Sequence, residues 1–349
     1  MALKLKGVNY DVGSVMGGNW RPDYNPKTVH RELEIIKNDL HCNALGITGL
    51  DIRRLIDTAA DALDQGFTVW LTPCLWNKSP AETLDYKIKA AVEANKLIEK
   101  WSDRLVFSVG GELTLFMQGI VEGSDVMTRI KSAFAGKDKG KEHRNKLLNE
   151  YLDKTVKETR KVFHGQISYN SLIWEEVNWE NFDYIGIDHY WAEQIKDRYI
   201  EMLRPHLSSG KPVVVTSFGF TTTNAPANGV ASTLGNVNWQ SKFLHQLPII
   251  GRFVKPYLNV VNERDEHAQA SRLVDTLKLL DGGGVYGAFI DNFVFPLNPY
   301  DDNPKYDLDR ESESLVKSYG NGKHGATYPE MTWEPKESFK AVADYYAKK

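Results

Sequence analysis

The feature that most constrains the fold is an alternation of eight short apolar runs with longer segments of helical periodicity. The runs cover residues 5–9, 43–48, 68–73, 105–109, 166–169, 184–188, 212–216 and 285–290. Val213, Val214 and Val215 are apolar at consecutive positions, the pattern of a parallel strand covered on both faces. Helices are expected over 27–40, where Val29, Leu33, Ile36 and Leu40 share one face, and over 52–65, 81–101, 146–162, 194–207, 267–280 and 334–347. Most gaps are long enough for a right-handed crossover, so the economical closure is an α/β fold, a (β/α)8 barrel. A doubly wound open sheet is the main rival, but no GxGxxG or GxxxxGK[ST] follows any strand. Residues 1–349 are therefore read as one barrel domain.

Two connections exceed what a barrel needs: 116–144 after strand four, with the run GKDKGKEHR, and 221–265 after strand seven. Both leave the presumed catalytic face, where long loops build specificity or a lid; the charged run is equally well read as a solvated loop. The tail carrying Asp307, Asp309, Glu311 and Glu313 reads as acidic, solvated chain wrapping the barrel. Lys and Arg total 43 against 46 Asp and Glu, a net charge of -3 spread along the chain. That balance offers no electrostatic case for nucleic acid or an anionic membrane as partner. No apolar stretch approaches a spanning helix, and MALKLKGVNY lacks the apolar core of a signal peptide, so a cytoplasmic location is expected. Cys42 and Cys74 border core strands and are expected to be reduced and packed.

Parallel barrels place their ligands at the C-terminal ends of the strands. Strand four ends in VGGEL, which puts Glu112 on that rim behind two glycines. Glycoside hydrolysis needs two carboxylates flanking the scissile bond, and Glu112 suits the acid/base role; capping the following helix would explain it equally well. Strand six leaves Asp188, His189, Tyr190 and Trp191 at its end, strand eight leaves Asp291 and Asn292, and Asn9 closes strand one. All are candidates for contacts to sugar hydroxyls. Trp20, Trp76, Trp174 and Trp191 follow strands and could stack on sugar rings, although packing explains each as well. No HExxH and no clustered His/Cys spacing occurs, so neither a metal nor a cofactor is expected.

The motifs GVNYD, HCNALGITG, VGGEL, IGIDHYW, KPVVVTSFGF and YPEMTWEPKESF, in that order, resemble a group of barrel proteins often labelled abortive phage infection protein. These in turn resemble clan A retaining glycosidases. The resemblance spans almost the whole chain. It implies a glycosidase mechanism on an oligosaccharide or glycoside, with the nucleophile at the end of strand seven and a tyrosine, here Tyr190, hydrogen-bonding it. Strand seven in that clan commonly reads Val-Thr-Glu-Phe-Gly; here the glutamate position is Ser217. An arginine usually found on strand two falls at Gly46, which leaves Arg53 or Arg54 to reach in.

A serine hydroxyl without an adjacent base cannot replace a carboxylate that attacks and then leaves. The chain therefore reads as a retaining glycosidase disabled at its nucleophile, engineered or natural, able to bind carbohydrate or to act as a glycosynthase. Three alternatives stand beside it. They are an inverting enzyme using Glu112 with Asp188 or Asp291, a carbohydrate-binding pseudoenzyme, and a serine esterase based on His41, His164 or His189. The last lacks the GxSxG elbow.

Overall fold

Each of the eight apolar runs forms a strand of one closed parallel barrel in a computed structural model. The structure describes residues 3–348 apart from 16–17, 20, 22–23, 135–139, 228–235, 246, 248 and 321. The strands are β1 (Leu5–Asp11), β2 (Ala44–Gly49), β3 (Thr68–Pro73), β4 (Leu105–Gly111), β5 (Gln166–Leu172), β6 (Ile185–Asp188), β7 (Val213–Phe218) and β8 (Gly287–Ile290). Neighbours in sequence are neighbours in the sheet, and β8 closes on β1 with Leu5 opposite Gly287 and Val8 opposite Ile290.

The helices outside the barrel are α1 (Pro26–Asn38), α2 (Ile52–Asp64), α3 (Pro80–Asn95), α4 (Lys141–Thr159), α5 (Glu266–Gly282) and α6 (Glu337–Ala347). Four begin on a side-chain cap: Asn25, Asp51, Ser79 and Asp265 each accept a first-turn N–H, and Ser79 with Glu82 completes a capping box. Helix-facing strand residues such as Leu45, Ile47, Val69 and Leu71 join α1 and α2 in the main core. A separate cluster of Leu5, Ala44, Trp70, Val106, Val214 and Phe289 packs together with Tyr184. It forms the plug expected inside a barrel of this size.

Three expectations are corrected. The helix expected over 194–207 is instead two 3₁₀ turns, Glu193–Arg198 and Glu201–Leu203, and one α turn, Arg204–Leu207. Pro205 has no N–H to donate to the preceding turn, so a continuous helix cannot run through it. The helix expected over 81–101 breaks after Asn95 and resumes only as Ile98–Trp101. The tail is not solvated: Asp307, Asp309 and Glu311 are each 1% exposed. Arg264 and Arg310 pair with Asp307, Arg264 and Lys336 pair with Asp309, and Asn236 and Asn262 donate to Glu311.

The long connection after β4 holds Leu113–Phe116 and Val126–Phe134 before α4, while 136–139 of its charged run lie outside the described residues. The connection after β7 carries Trp239–His245. A third long excursion, between β8 and α6, pairs Val316–Ser318 with Trp333–Pro335. Cys42 is buried, Cys74 half-buried, and both are free thiols. No described helix is long and apolar enough to cross a membrane.

Candidate active site

At the C-terminal ends of the strands lies a cavity of about 270 Å³, lined among others by Asn9, Glu112, Asp188, Tyr190, Ser217 and Asp291. Irregularities in the sheet aim two of these side chains. The β4–β5 register shifts between Ser108 and Gly111, and the shift re-directs the chain just before Glu112. Glu112 has φ 49° and ψ 38°, a left-handed conformation that costs a non-glycine residue of order 1 kcal/mol. Its N–H donates to the Asn170 carbonyl at 2.9 Å, and the next N–H, of Leu113, donates to the Tyr169 hydroxyl at 2.9 Å. β7 likewise holds an extra residue relative to β6, where Ile187 faces Val215 but Asp188 faces Ser217. Thr216 and Ser217 consequently both reach the cavity wall.

The Tyr169 hydroxyl donates in turn to Glu175, a buried carboxylate that also accepts from Ser171 Oγ at 3.1 Å and Leu172 N at 2.9 Å. Burial pushes the Glu175 carboxyl up, and hydrogen bonds from Thr114, whose N–H lies 3.3 Å away, Leu172 and Tyr169 oppose the rise. Glu175→Ala strands a buried hydroxyl pair and two N–H groups. It is expected to destabilise the fold by about 2–3 kcal/mol in chemical denaturation and to loosen Glu112. An unchanged midpoint would show that the network does not hold this turn.

The carboxyl of Glu112 lies well above its ordinary range, first through burial and then through the charges of Asp188, Glu175 and Asp291. Asp188 is raised mainly by burial; it accepts from Thr216 Oγ1 at 2.6 Å and shares a hydrogen bond with Glu112. Two carboxyl groups in such contact hold one proton between them. Tyr190 Oη donates to Asp291 Oδ2 at 2.9 Å and lies 2.5 Å from Ser217 Oγ. With the tyrosine proton on Asp291, the serine proton points to Tyr190, so a chain of hydrogen bonds runs from Ser217 to a carboxylate. Burial raises the Asp291 carboxyl, against hydrogen bonds from Tyr190, Asn9, Asn292 and Ser217.

Asn9 donates to the Thr216 carbonyl at 3.0 Å. A Cβ on Gly46 would lie 2.0 Å from Asn9 Oδ1, so Asn9 fills the space into which a strand-two side chain would project. Neither arginine suggested for that role is there. Arg53 is exposed and pairs with Asp57, while Arg54 donates to the carbonyls of Val12 and Arg21. The cavity wall carries Asp11, Glu112, Asp188, Asp291 and Glu313 and, among the described residues, no lysine or arginine.

Of the aromatic candidates, Trp76 lines the cavity, stacked on Phe116 with centroids 4.0 Å apart and planes at 9°. Trp191 packs against Tyr199, and Trp174 lies under Arg144; neither borders the cavity, and Trp20 lies outside the described residues. The expected substrate contact of His189 is corrected. Its ring is fully buried, stacked on Tyr199 and bonded through Nε2 to the Tyr199 carbonyl at 2.8 Å, and burial pushes it down to about 4. Asn292 reaches the wall beside Asp291.

Four residues escape a reading of the sequence. Trp70 is the cavity floor, with Nε1 donating to Asn170 Oδ1 at 2.9 Å, and it looks like an ordinary core residue in TVWLTP. Asn170 is a polar residue inside a buried strand, the one available signal. Glu175 and Glu313 come from connections with no local pattern.

No protein-family model and no curated protein matches the sequence. Solved structures do resemble it. A complex of a GH113 β-1,4-mannanase aligns over 99% of this chain and 100% of its own at TM-score 0.60 and 14% identity. A GH113 β-mannanase from Alicyclobacillus acidocaldarius, in complex with ManMIm, aligns over 99% and 98% at TM-score 0.55 and 13% identity. A Ruminococcus gnavus β-glucuronidase aligns over 99% of this chain and 50% of its own at TM-score 0.56 and 14% identity. At these identities the likeness establishes the (β/α)8 barrel.

Proposed function

We propose that this barrel acts on the glycosidic bonds of an oligosaccharide or simpler glycoside, with Glu112 donating a proton to the leaving oxygen. The observation that carries the reading is the Glu112–Asp188 pair, a carboxyl kept protonated by burial and by its neighbours on the wall of an aromatic-floored cavity. A general acid has to hold its proton near working pH, and this environment supplies that condition. The names of the similar solved structures, β-1,4-mannanase and β-glucuronidase, add support.

Ser217 is not a glycosyl acceptor in this reading. Its hydroxyl is 2.5 Å from Tyr190 Oη, and a serine oxygen is not the carboxylate that attacks the anomeric carbon and then leaves, so the double-displacement route through β7 is disabled. With an activated glycosyl fluoride of the opposite anomeric configuration, the same arrangement would pass the sugar to an acceptor, as a glycosynthase does. Asp188 is too close to Glu112 to serve as the opposing base, because an inverting pair stands ~6.5–9.5 Å apart to admit water. It positions the acid instead.

Ser217→Glu restores the missing carboxylate next to Tyr190. It is expected to release sugar of retained configuration from one member of a panel of aryl α- and β-glycosides, read by proton NMR of the anomer first formed. A correctly folded Ser217→Glu protein that is inert across the panel, together with an inert parent, would sink the glycosidase reading.

A further inference from the structure

The cavity contains a second carboxylate on the β7 side, and it comes from elsewhere in the chain. Glu313 lies in the excursion after β8, yet its Oε2 stands 2.9 Å from where a Cβ on Gly219 would be, just beyond Ser217. It lines the same cavity as Glu112, and its charge is felt at Tyr190. The backbone on both sides of Glu313 is bolted to the barrel rim. Thr222, on the extension of β7, donates from N to the Arg310 carbonyl at 3.0 Å and from Oγ1 to the Ser312 carbonyl at 3.2 Å. Gln269 bridges the Phe220 and Ser314 carbonyls, and Leu315 N donates to the Asn292 carbonyl at 3.0 Å. Such a frame holds a side chain as firmly as a strand would.

We propose that Glu313 is the catalytic base of an inverting hydrolysis, standing in from the β8–α6 excursion for the carboxylate absent from β7. The proposal rests on the glycosidase reading above. Asp188 is in hydrogen-bond contact with Glu112, which leaves no room for a water between that pair. Serine is shorter than glutamate by a carboxymethyl-sized group, which suits a water rather than a direct attack at this wall. In the step, the water oxygen bonds to the anomeric carbon, one of its protons passes to Glu313, and Ser217 Oγ accepts a hydrogen bond from the other. The bond from carbon to the leaving oxygen breaks, and the proton of Glu112 passes to that oxygen. Exchange with solvent then returns Glu313 to carboxylate and Glu112 to acid. Aromatic Trp76 on Phe116 forms the facing platform for the sugar ring.

The test uses the full chain, Glu313→Gln, Glu313→Asp and Ser217→Glu on aryl glycosides and on manno- and gluco-oligosaccharides. The first-formed anomer is followed by NMR and substrate binding by calorimetry. The parent is expected to release inverted sugar. Glu313→Gln should keep its melting point and its affinity, lose kcat by at least about 100-fold, and lose the acidic limb of the pH profile; Glu313→Asp should keep that limb. Full activity in Glu313→Gln, or retained sugar from the parent, overturns the proposal. An inert parent alongside an active, retaining Ser217→Glu also overturns it while leaving the glycosidase reading intact. If both are inert, the two readings fall together.

Discussion

Replacing Glu112 by glutamine is expected to lower turnover of an unactivated glycoside by about 10²–10⁴-fold while making the protein more stable at alkaline pH. The two effects have one origin. In the folded chain, burial and the neighbouring carboxylates keep a proton on the Glu112–Asp188 pair well above the ordinary carboxylate range. The unfolded chain releases that proton near pH ~4. Above that pH the native state binds more protons than the unfolded state, so stability falls as pH rises towards the pair's own titration, and the full penalty is present beyond it. Each unit separating the two titrations is worth about 1.4 kcal/mol. Glutamine does not titrate and can still donate to Asp188, so the variant escapes the penalty. Its advantage in denaturant midpoint should be clear at pH 8 and vanish below pH ~4. Aryl glycosides with acidic phenols, which leave without help, should lose much less rate than oligosaccharides. A stability difference that does not change with pH would show that the pair holds no shared proton.

Lys336→Met is expected to cost about 3–5 kcal/mol, because it removes one partner of a buried ion pair and leaves the other charge in place. Lys336 and Asp309 are 0% and 1% exposed with 3.0 Å between Nζ and Oδ2. Burial lowers the lysine's affinity for its proton, and Asp309 opposes that. Arg264, 3.0 Å from Asp309, softens the loss but is itself shared with Asp307 and Glu266. The ammonium also donates to Thr222 Oγ1 at 2.8 Å and Ser314 Oγ at 3.4 Å, which ties the extension of β7 to the segment carrying Glu313. Catalytic rate should therefore fall further than stability alone explains. Adding Asp309→Asn to Lys336→Met should recover part of the stability, because the stranded charge goes with it. Urea denaturation of the single and double variants decides this, and a single-variant loss below about 1 kcal/mol would place the excursion outside the cooperative core.

Asp307, Asp309 and Glu311 show where local reading stops. Acidic residues at close spacing in a loop-like segment are solvated in most chains. Here the partners Arg264, Lys336 and Asn236 lie 27 to 75 residues away, and no window of sequence brings these together. His189 carries the same lesson. Beside Asp188 on a strand end it looks like a ligand, yet the chain turns it outwards onto Tyr199, a contact made by a 3₁₀ turn in place of the expected helix.

The barrel itself was legible because its cause is local and repeated. Apolar runs of strand length, segments of helical periodicity between them and gaps long enough for a crossover leave one economical closure, and they place Glu112, Ser217, Tyr190 and Asp291 on one rim. That β7 ends on a serine was likewise plain in the residues. Only the tertiary structure decided which groups meet on that rim. Sheet bulges turned Glu112 and Ser217 inwards, Asn9 took the space beside Gly46, and Asp188 came into contact with Glu112. A carboxylate 96 residues beyond Ser217 entered the same cavity. Such contacts depend on register shifts and on excursions packed against the barrel, and their energies arise between residues far apart in the chain, where neither spacing nor periodicity carries a signal.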